Sequence, residues 1–171
     1  KDPNDVLLLQ ELGIFYLNQK DYAKAKTFFE QVKVLEPLNV NNLMNLSYCQ
    51  FEMEDYAAAK VNNQLVLNID PLNIDALSDA KYIAYKQNDN AAALEYLKQL
   101  LSQRDDDKDY QEIVILLREA ENYTELITYA TKWHRYDETS KEAVQWLILG
   151  AQMTNNKDMM QQYSNILKGM E

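Results

Sequence analysis

The 171-residue chain carries 27 acidic against 17 basic side chains, a formal charge of -10, which opposes binding to nucleic-acid backbones and anionic membranes. Its single cysteine, Cys49, excludes an intrachain disulfide and the paired-cysteine zinc and redox motifs. Three glycines and three prolines are too few for a hairpin-rich β fold, and no apolar run reaches the roughly 18 residues of a membrane span, so the chain reads as helical with no direct membrane insertion.

Taken from the start, the sequence announces a period. Pro3, Pro37 and Pro71 are 34 residues apart, and Leu9, Leu43 and Leu77 keep the same step, as do Ala25, Ala59 and Ala93 and the set Val32, Val66 and Leu100. Such a step marks stacked helix pairs. Asp2-Pro3-Asn4 is in phase with Glu36-Pro37-Leu38-Asn39 and Asp70-Pro71-Leu72-Asn73, so residues 1–5 are expected to be the tail of a preceding repeat, with the natural amino terminus upstream and the compartment left open.

In the first unit, residues 6–39, Leu9, Leu12, Gly13 and Tyr16 lie at i, i+3, i+4 and i+7, one face of a helix. Tyr22, Ala25, Phe29 and Val32 form a second such stripe, and the polar run Asn18-Gln19-Lys20-Asp21 is short enough to join antiparallel helices. Pro37 stops the second helix, because the residue before a proline resists helical geometry. The second unit, 40–73, repeats the plan with Leu43, Leu46, Ser47, Tyr56, Ala59 and Pro71. The third, 74–106, ends in Asp105 where the others have proline. In the fourth, 107–139, Tyr110, Ile113, Val114 and Leu117 face Tyr123, Leu126, Ala130 and Trp133, and Tyr123 follows Asn90 by 33 residues, one short of the period. A fifth unit, 143–171, is placed by Trp146, Leu149, Gly150 and Met153, followed by Met159, Tyr163 and Ile166.

Leu12-Gly13, Tyr16, Tyr22, Ala25, Phe29 and Pro37 together resemble the tetratricopeptide repeat, as do Tyr85 to Ala93 of the third unit and the Trp-x-x-Leu-Gly run at 146–150. The resemblance implies an all-α, right-handed α-α superhelix (solenoid) of about five helix-turn-helix repeats. It also implies a concave groove lined by the first helix of each pair. Lys81 stands where the family has a small residue, so close helix approach there requires its stem to snorkel outward.

Several constellations invite chemistry and fail. An EF-hand loop starting at Asp105 would need glycine at Tyr110 and a carboxylate at Leu116, so Asp105-Asp106-Asp107-Lys108-Asp109 reads as a linker in which an aspartate caps the next helix. His134 is the only histidine, without cysteine or histidine neighbours to form a metal or nucleophile site. Gly13, Gly150 and Gly169 are isolated, which leaves no phosphate loop. Cys49 lies in an apolar stretch and reads as a small buried hydrophobe. No catalytic residue, metal or cofactor is expected.

What rises above this background is a second apolar side on the first helices. Ile14 and Leu17, Tyr48 and Phe51, and Tyr82 and Tyr85 recur in phase, beside Met44 and Ser78. The candidate peptide-binding groove is therefore Met44, Asn45, Tyr48, Phe51, Asp79, Tyr82 and Tyr85. Asn45 matches a groove asparagine with which family members bond a peptide backbone, a task suited to an amide's donor and acceptor. Members that clamp chaperone tails use lysine and arginine from three successive first helices, whereas this chain offers Gln10 and Ile14 in the first repeat and Asp75 and Asp79 in the third; acids would repel a terminal carboxylate, so the expected partner is an apolar or mildly basic peptide or helix of another protein. The leading expectation is a non-catalytic protein–protein interaction scaffold. The alternative is an accessory repeat region of a larger enzyme or of a secretion or envelope assembly. RNA recognition by a helical-repeat code is opposed by the negative charge.

Overall fold

The computed structural model describes residues 5–170; Asp2, Pro3 and Asn4, and with them most of the expected tail of a preceding repeat, lie outside the described residues. Within these bounds the chain forms ten α-helices and no strand. They run as α1 (Val6–Asn18), α2 (Tyr22–Leu35), α3 (Val40–Glu52), α4 (Tyr56–Ile69), α5 (Ile74–Lys86), α6 (Asn90–Gln103), α7 (Asp107–Glu119), α8 (Tyr123–Tyr136), α9 (Lys141–Met153) and α10 (Lys157–Gly169). The architecture is an all-α helical-repeat solenoid of paired antiparallel helices. No helix among the described residues is long and apolar enough to cross a membrane.

Local chemistry sets the period. In the turns inside the pairs, Lys20, Glu54, Asn88, Glu121 and Asn155 all take the left-handed conformation, with φ between 54° and 62°. One residue later an Asp or Asn caps the second helix: Asp21 accepts from the Lys24 amide, Asp55 from Ala58, Asp89 from Ala92, Asn122 from Glu125 and Asn156 from Met159. The first helices of the later pairs are capped in the same manner by Asn39, Asn73, Asp106 and Ser140. Each such cap satisfies an orphan amide and stabilises its helix by about 1 kcal/mol. The missing residue of the period falls in the connection Arg104-Asp105-Asp106. There Arg104 bridges Asp106 (2.7 Å) and Asp109 (2.9 Å), so a salt-bridged linker replaces the proline-bearing one.

The helices divide into two compact units, one ending at Tyr96 and the other beginning at Leu97, with α6 running through the boundary. In the first unit Ala25, Phe29, Leu46 and Cys49 form a buried cluster flanked by Tyr16, Leu17 and Tyr22. In the second, Tyr110, Ile113, Val114, Leu117, Leu126, Ala130 and Trp133 are buried, as are Ala143, Val144 and Leu147.

Two expectations are corrected. Lys81 does not snorkel outward: its side chain is only 3% exposed, with Nζ 5.0 Å above the Tyr82 ring. The register of the fifth pair also starts two residues before the Trp146-x-x-Leu-Gly match implies. Helix α9 opens at Lys141 behind its Ser140 cap and buries Ala143, Val144, Leu147, Gly150 and Ala151. This is the spacing with which α3 buries Asn42, Leu43, Leu46, Cys49 and Gln50. Trp146 is half-buried, with the Arg118 guanidinium 5.6 Å from its ring centre.

Candidate functional site

Helices α3 and α5 begin with the same device. The side chain of Asn39 accepts from the Asn42 amide at 3.0 Å, and that of Asn73 accepts from the Ala76 amide at 3.0 Å. With both starts fixed 34 residues apart, Asn45 and Asp79 hold the same register position, and Tyr48 and Tyr82 the next one along that face. Between the helices lies a cavity of about 240 Å³ lined by Ser47, Tyr48 and Phe51 of α3 and by Asp79, Tyr82 and Ile83 of α5. Tyr48 and Tyr82 are 44% and 52% exposed, large aromatic surface left uncovered on a rigid scaffold.

Four of the residues expected in a groove therefore meet here: Tyr48, Phe51, Asp79 and Tyr82. Met44 and Asn45 are half-buried on the same helix α3, Tyr85 is half-buried on α5, and none of the three lines the cavity. Ser47 and Ile83 line the cavity although sequence reasoning left them out. Both sit beside a groove tyrosine in core-facing columns, which is the only signal that could have found them. The Ser47 hydroxyl donates to the Ala59 carbonyl at 3.0 Å, fixing the cavity floor to α4.

The aromatic walls are buttressed from behind. The Tyr22 ring meets Tyr48 edge-on at 6.1 Å, and Phe51 meets Tyr56 at 5.4 Å. Burial and then the neighbouring Glu52 carboxylate push the Tyr22 hydroxyl up to about 12, so Tyr22 stays a neutral donor to Glu52. Such edge-to-face pairs add about 0.5–1.5 kcal/mol each and limit the rotamers that the wall residues must lose on binding.

Asp79 is the anomaly of the site. No hydrogen bond or ion pair reaches its carboxylate among the described residues. Burial, and secondarily the charge of Asp75 one turn earlier, raise it from 3.8 to about 6. Folding thus favours the protonated form, so between these two values the folded chain binds more protons than the unfolded one. Stability must fall as pH rises through that window, and the whole penalty is present at neutral pH. Asp79→Asn is accordingly expected to stabilise the protein by roughly 1–2 kcal/mol near pH 7, after allowance for the partial exposure of the group. Thermal melts of both proteins at pH 7 and near pH 4 check this: the gain should shrink at the acid end, and a destabilised variant at pH 7 would contradict it.

The other candidates are absorbed by structure. Asp106 caps α7 through the amides of Lys108 (3.0 Å) and Asp109 (3.1 Å), Asp107 accepts from the Trp133 indole at 2.6 Å, and Asp105 accepts from the Tyr110 hydroxyl. His134 packs edge-on against Tyr163 at 6.0 Å. Cys49 is fully buried, and burial pushes its thiol up to about 11, far from a reactive thiolate. Among the described residues no group of three His, Cys, Asp or Glu side chains could hold a metal ion.

Fold and site together define the class: a helical-repeat protein with a partly open aromatic cavity that holds one carboxylate. Residues 7–37 match the sequence profile of the tetratricopeptide repeat. The chain is similar in structure to MamA, with a TM-score of 0.71 at 14% identity over 97% of this chain and 91% of that one. It is similar to a tetratricopeptide repeat protein from Parabacteroides merdae, with a TM-score of 0.72 at 20% identity over 95% and 65%. It is also similar to YrrB, described as a tetratricopeptide protein with an unusual peptide-binding site, with a TM-score of 0.71 at 13% identity over 99% and 88%. No curated protein matches its sequence significantly. The repeat itself is matched over residues 7–37, and the fold of the described chain is that of the tetratricopeptide-repeat structures it resembles.

Proposed function

We propose that the chain is a non-catalytic interaction scaffold that holds an extended or helical segment of a partner protein against the face formed by α3 and α5. The observation that carries this reading is the cavity of about 240 Å³ whose aromatic walls, Tyr48, Phe51 and Tyr82, stand partly open on two helices capped in register. Exposed aromatics on a rigid surface are anchors of the kind that dominate protein interfaces, since they bring area at small entropic cost. The peptide-binding site of the structurally similar YrrB is in keeping with the same use.

The test is affinity capture from the source organism, comparing the native chain with Tyr48→Ala/Tyr82→Ala. Both tyrosines are about half exposed, so the variant should keep its helical spectrum and lose no more than about 2–3 kcal/mol, the loss of the Tyr22 and Lys81 contacts included. A partner held by the native chain should be retained at least tenfold less, as expected for the loss of two anchors of about 1–2 kcal/mol each. Equal retention by a folded variant would remove this face from the account.

A further inference from the structure

A cavity with apolar walls and one ionised group in its lining is an incomplete ion pair. In the α3–α5 cavity the walls are Tyr48, Phe51, Tyr82 and Ile83, and the ionised group is Asp79. Several other acids of the molecule are paired: Asp106 and Asp109 share Arg104, Asp21 pairs with Lys24 at 2.7 Å, and Glu125 pairs with Lys98 at 2.7 Å. Asp79 has no such counter-charge among the described residues, and Asp75 one turn away adds a like charge. Lys81, the nearest cation along α5, is buried over the Tyr82 ring instead. A carboxylate held this way is stabilised when a cation enters, and aromatic faces beside it attract the same charge.

We propose that this cavity is the specificity pocket for one lysine side chain of the partner segment, its ammonium paired with Asp79 and its stem lying along Phe51 and Ile83. The inference rests on the α3–α5 face being the binding face and names what that face selects. Lysine fits better than arginine because its compact charge has three donors, which one carboxylate and nearby tyrosine hydroxyls can satisfy. The five donors of a guanidinium would outnumber the acceptors of an apolar-walled cavity. Four methylenes match the walls, as long charged side chains routinely lay their stems on apolar surface. The net charge of -10 brings a basic segment to the surface in the first place.

The same geometry gives a pH dependence. The titratable and charged groups around the site are Tyr48 on α3 and Asp75, Asp79, Lys81 and Tyr82 on α5. Of these Asp79 titrates near 6, so affinity for the lysine should weaken as pH falls through that value.

The experiment is selection of a random peptide library displayed on phage against the immobilised chain. It is repeated with the folded variants Asp79→Asn, Asp75→Asn and Tyr48→Ala/Tyr82→Ala. Peptides carrying lysine at one shared position among apolar residues are expected from the native chain and from Asp75→Asn, and that preference should vanish with Asp79→Asn. A synthetic selected peptide should lose at least about tenfold in affinity when its lysine becomes norleucine or arginine. Selected peptides without a shared lysine, or an unchanged lysine preference with Asp79→Asn, would overturn the pocket; if Tyr48→Ala/Tyr82→Ala still abolished their binding, the broader reading of the face would stand. Peptides indifferent to the tyrosine pair, or no enrichment at all, would defeat both.

Discussion

Trp133→Ala is expected to destabilise the protein by about 3–5 kcal/mol, a large part of the stability of any domain this size. Trp133 is 1% exposed at the centre of the second unit, its ring parallel to that of Tyr110 at 6.3 Å. Truncation leaves a void between α7 and α8 and withdraws the indole donor from Asp107. The void dominates, because Asp107 is exposed and water can replace the lost donor. Trp133→Phe should therefore cost only about 1–2 kcal/mol, since it keeps most of the packed ring. Repeat folds bury their cores between neighbours, so the damage should be local. Hydrogen exchange is expected to show lost protection in α7, α8 and α9 while α2 and α3 stay protected. Uniform loss along the chain would show that the two units unfold as one.

The paired-helix plan was legible because it is written in features that tolerate little variation. A left-handed turn residue followed by Asp or Asn recurs at fixed distance, and the buried Leu9, Leu43 and Leu77 follow the same step. The fifth pair misled the reading for a physical reason: Trp-x-x-Leu-Gly is a short string, whereas burial is decided by the whole spacing of Ala143, Val144, Leu147, Gly150 and Ala151. Within the candidate site, Tyr48, Phe51, Asp79 and Tyr82 could be named in advance because a common helix start puts equal register positions at equal heights. Ser47 and Ile83 could not, since their columns ordinarily belong to the core. Nor could sequence show that Asp79 lacks a partner among the described residues or that Lys81 lies over Tyr82, because both depend on rotamers set by three-dimensional packing. The exposed Phe15 makes a related point. The corresponding Cys49, Ile83, Leu116 and Gly150 are all buried, and among the described residues no helix precedes α1 to cover Phe15.

The second large effect tests how a helix pair closes. A Cβ at Gly13 would stand 2.5–2.8 Å from three atoms of the Phe29 ring, a side chain with no exposed surface and nowhere to retreat. Gly13→Val is expected to cost about 3 kcal/mol or more, since overpacking outweighs the helix propensity gained over glycine. Phe29→Ala should cost about 3–5 kcal/mol through the cavity it opens. The fourth pair already contains the opposite solution: Val114 of α7 and Ala130 of α8, both fully buried, hold the register positions of Gly13 and Phe29. In these two pairs a small residue on one helix is matched by a larger one on the other, so the summed volume matters more than the residue on either side. The double variant Gly13→Val/Phe29→Ala should therefore be more stable than the sum of the single changes by about 2–3 kcal/mol, read from urea unfolding of all four proteins. Strict additivity would show that Phe29 escapes the added side chain by another route and that the small-residue column does not set the approach of α1 to α2.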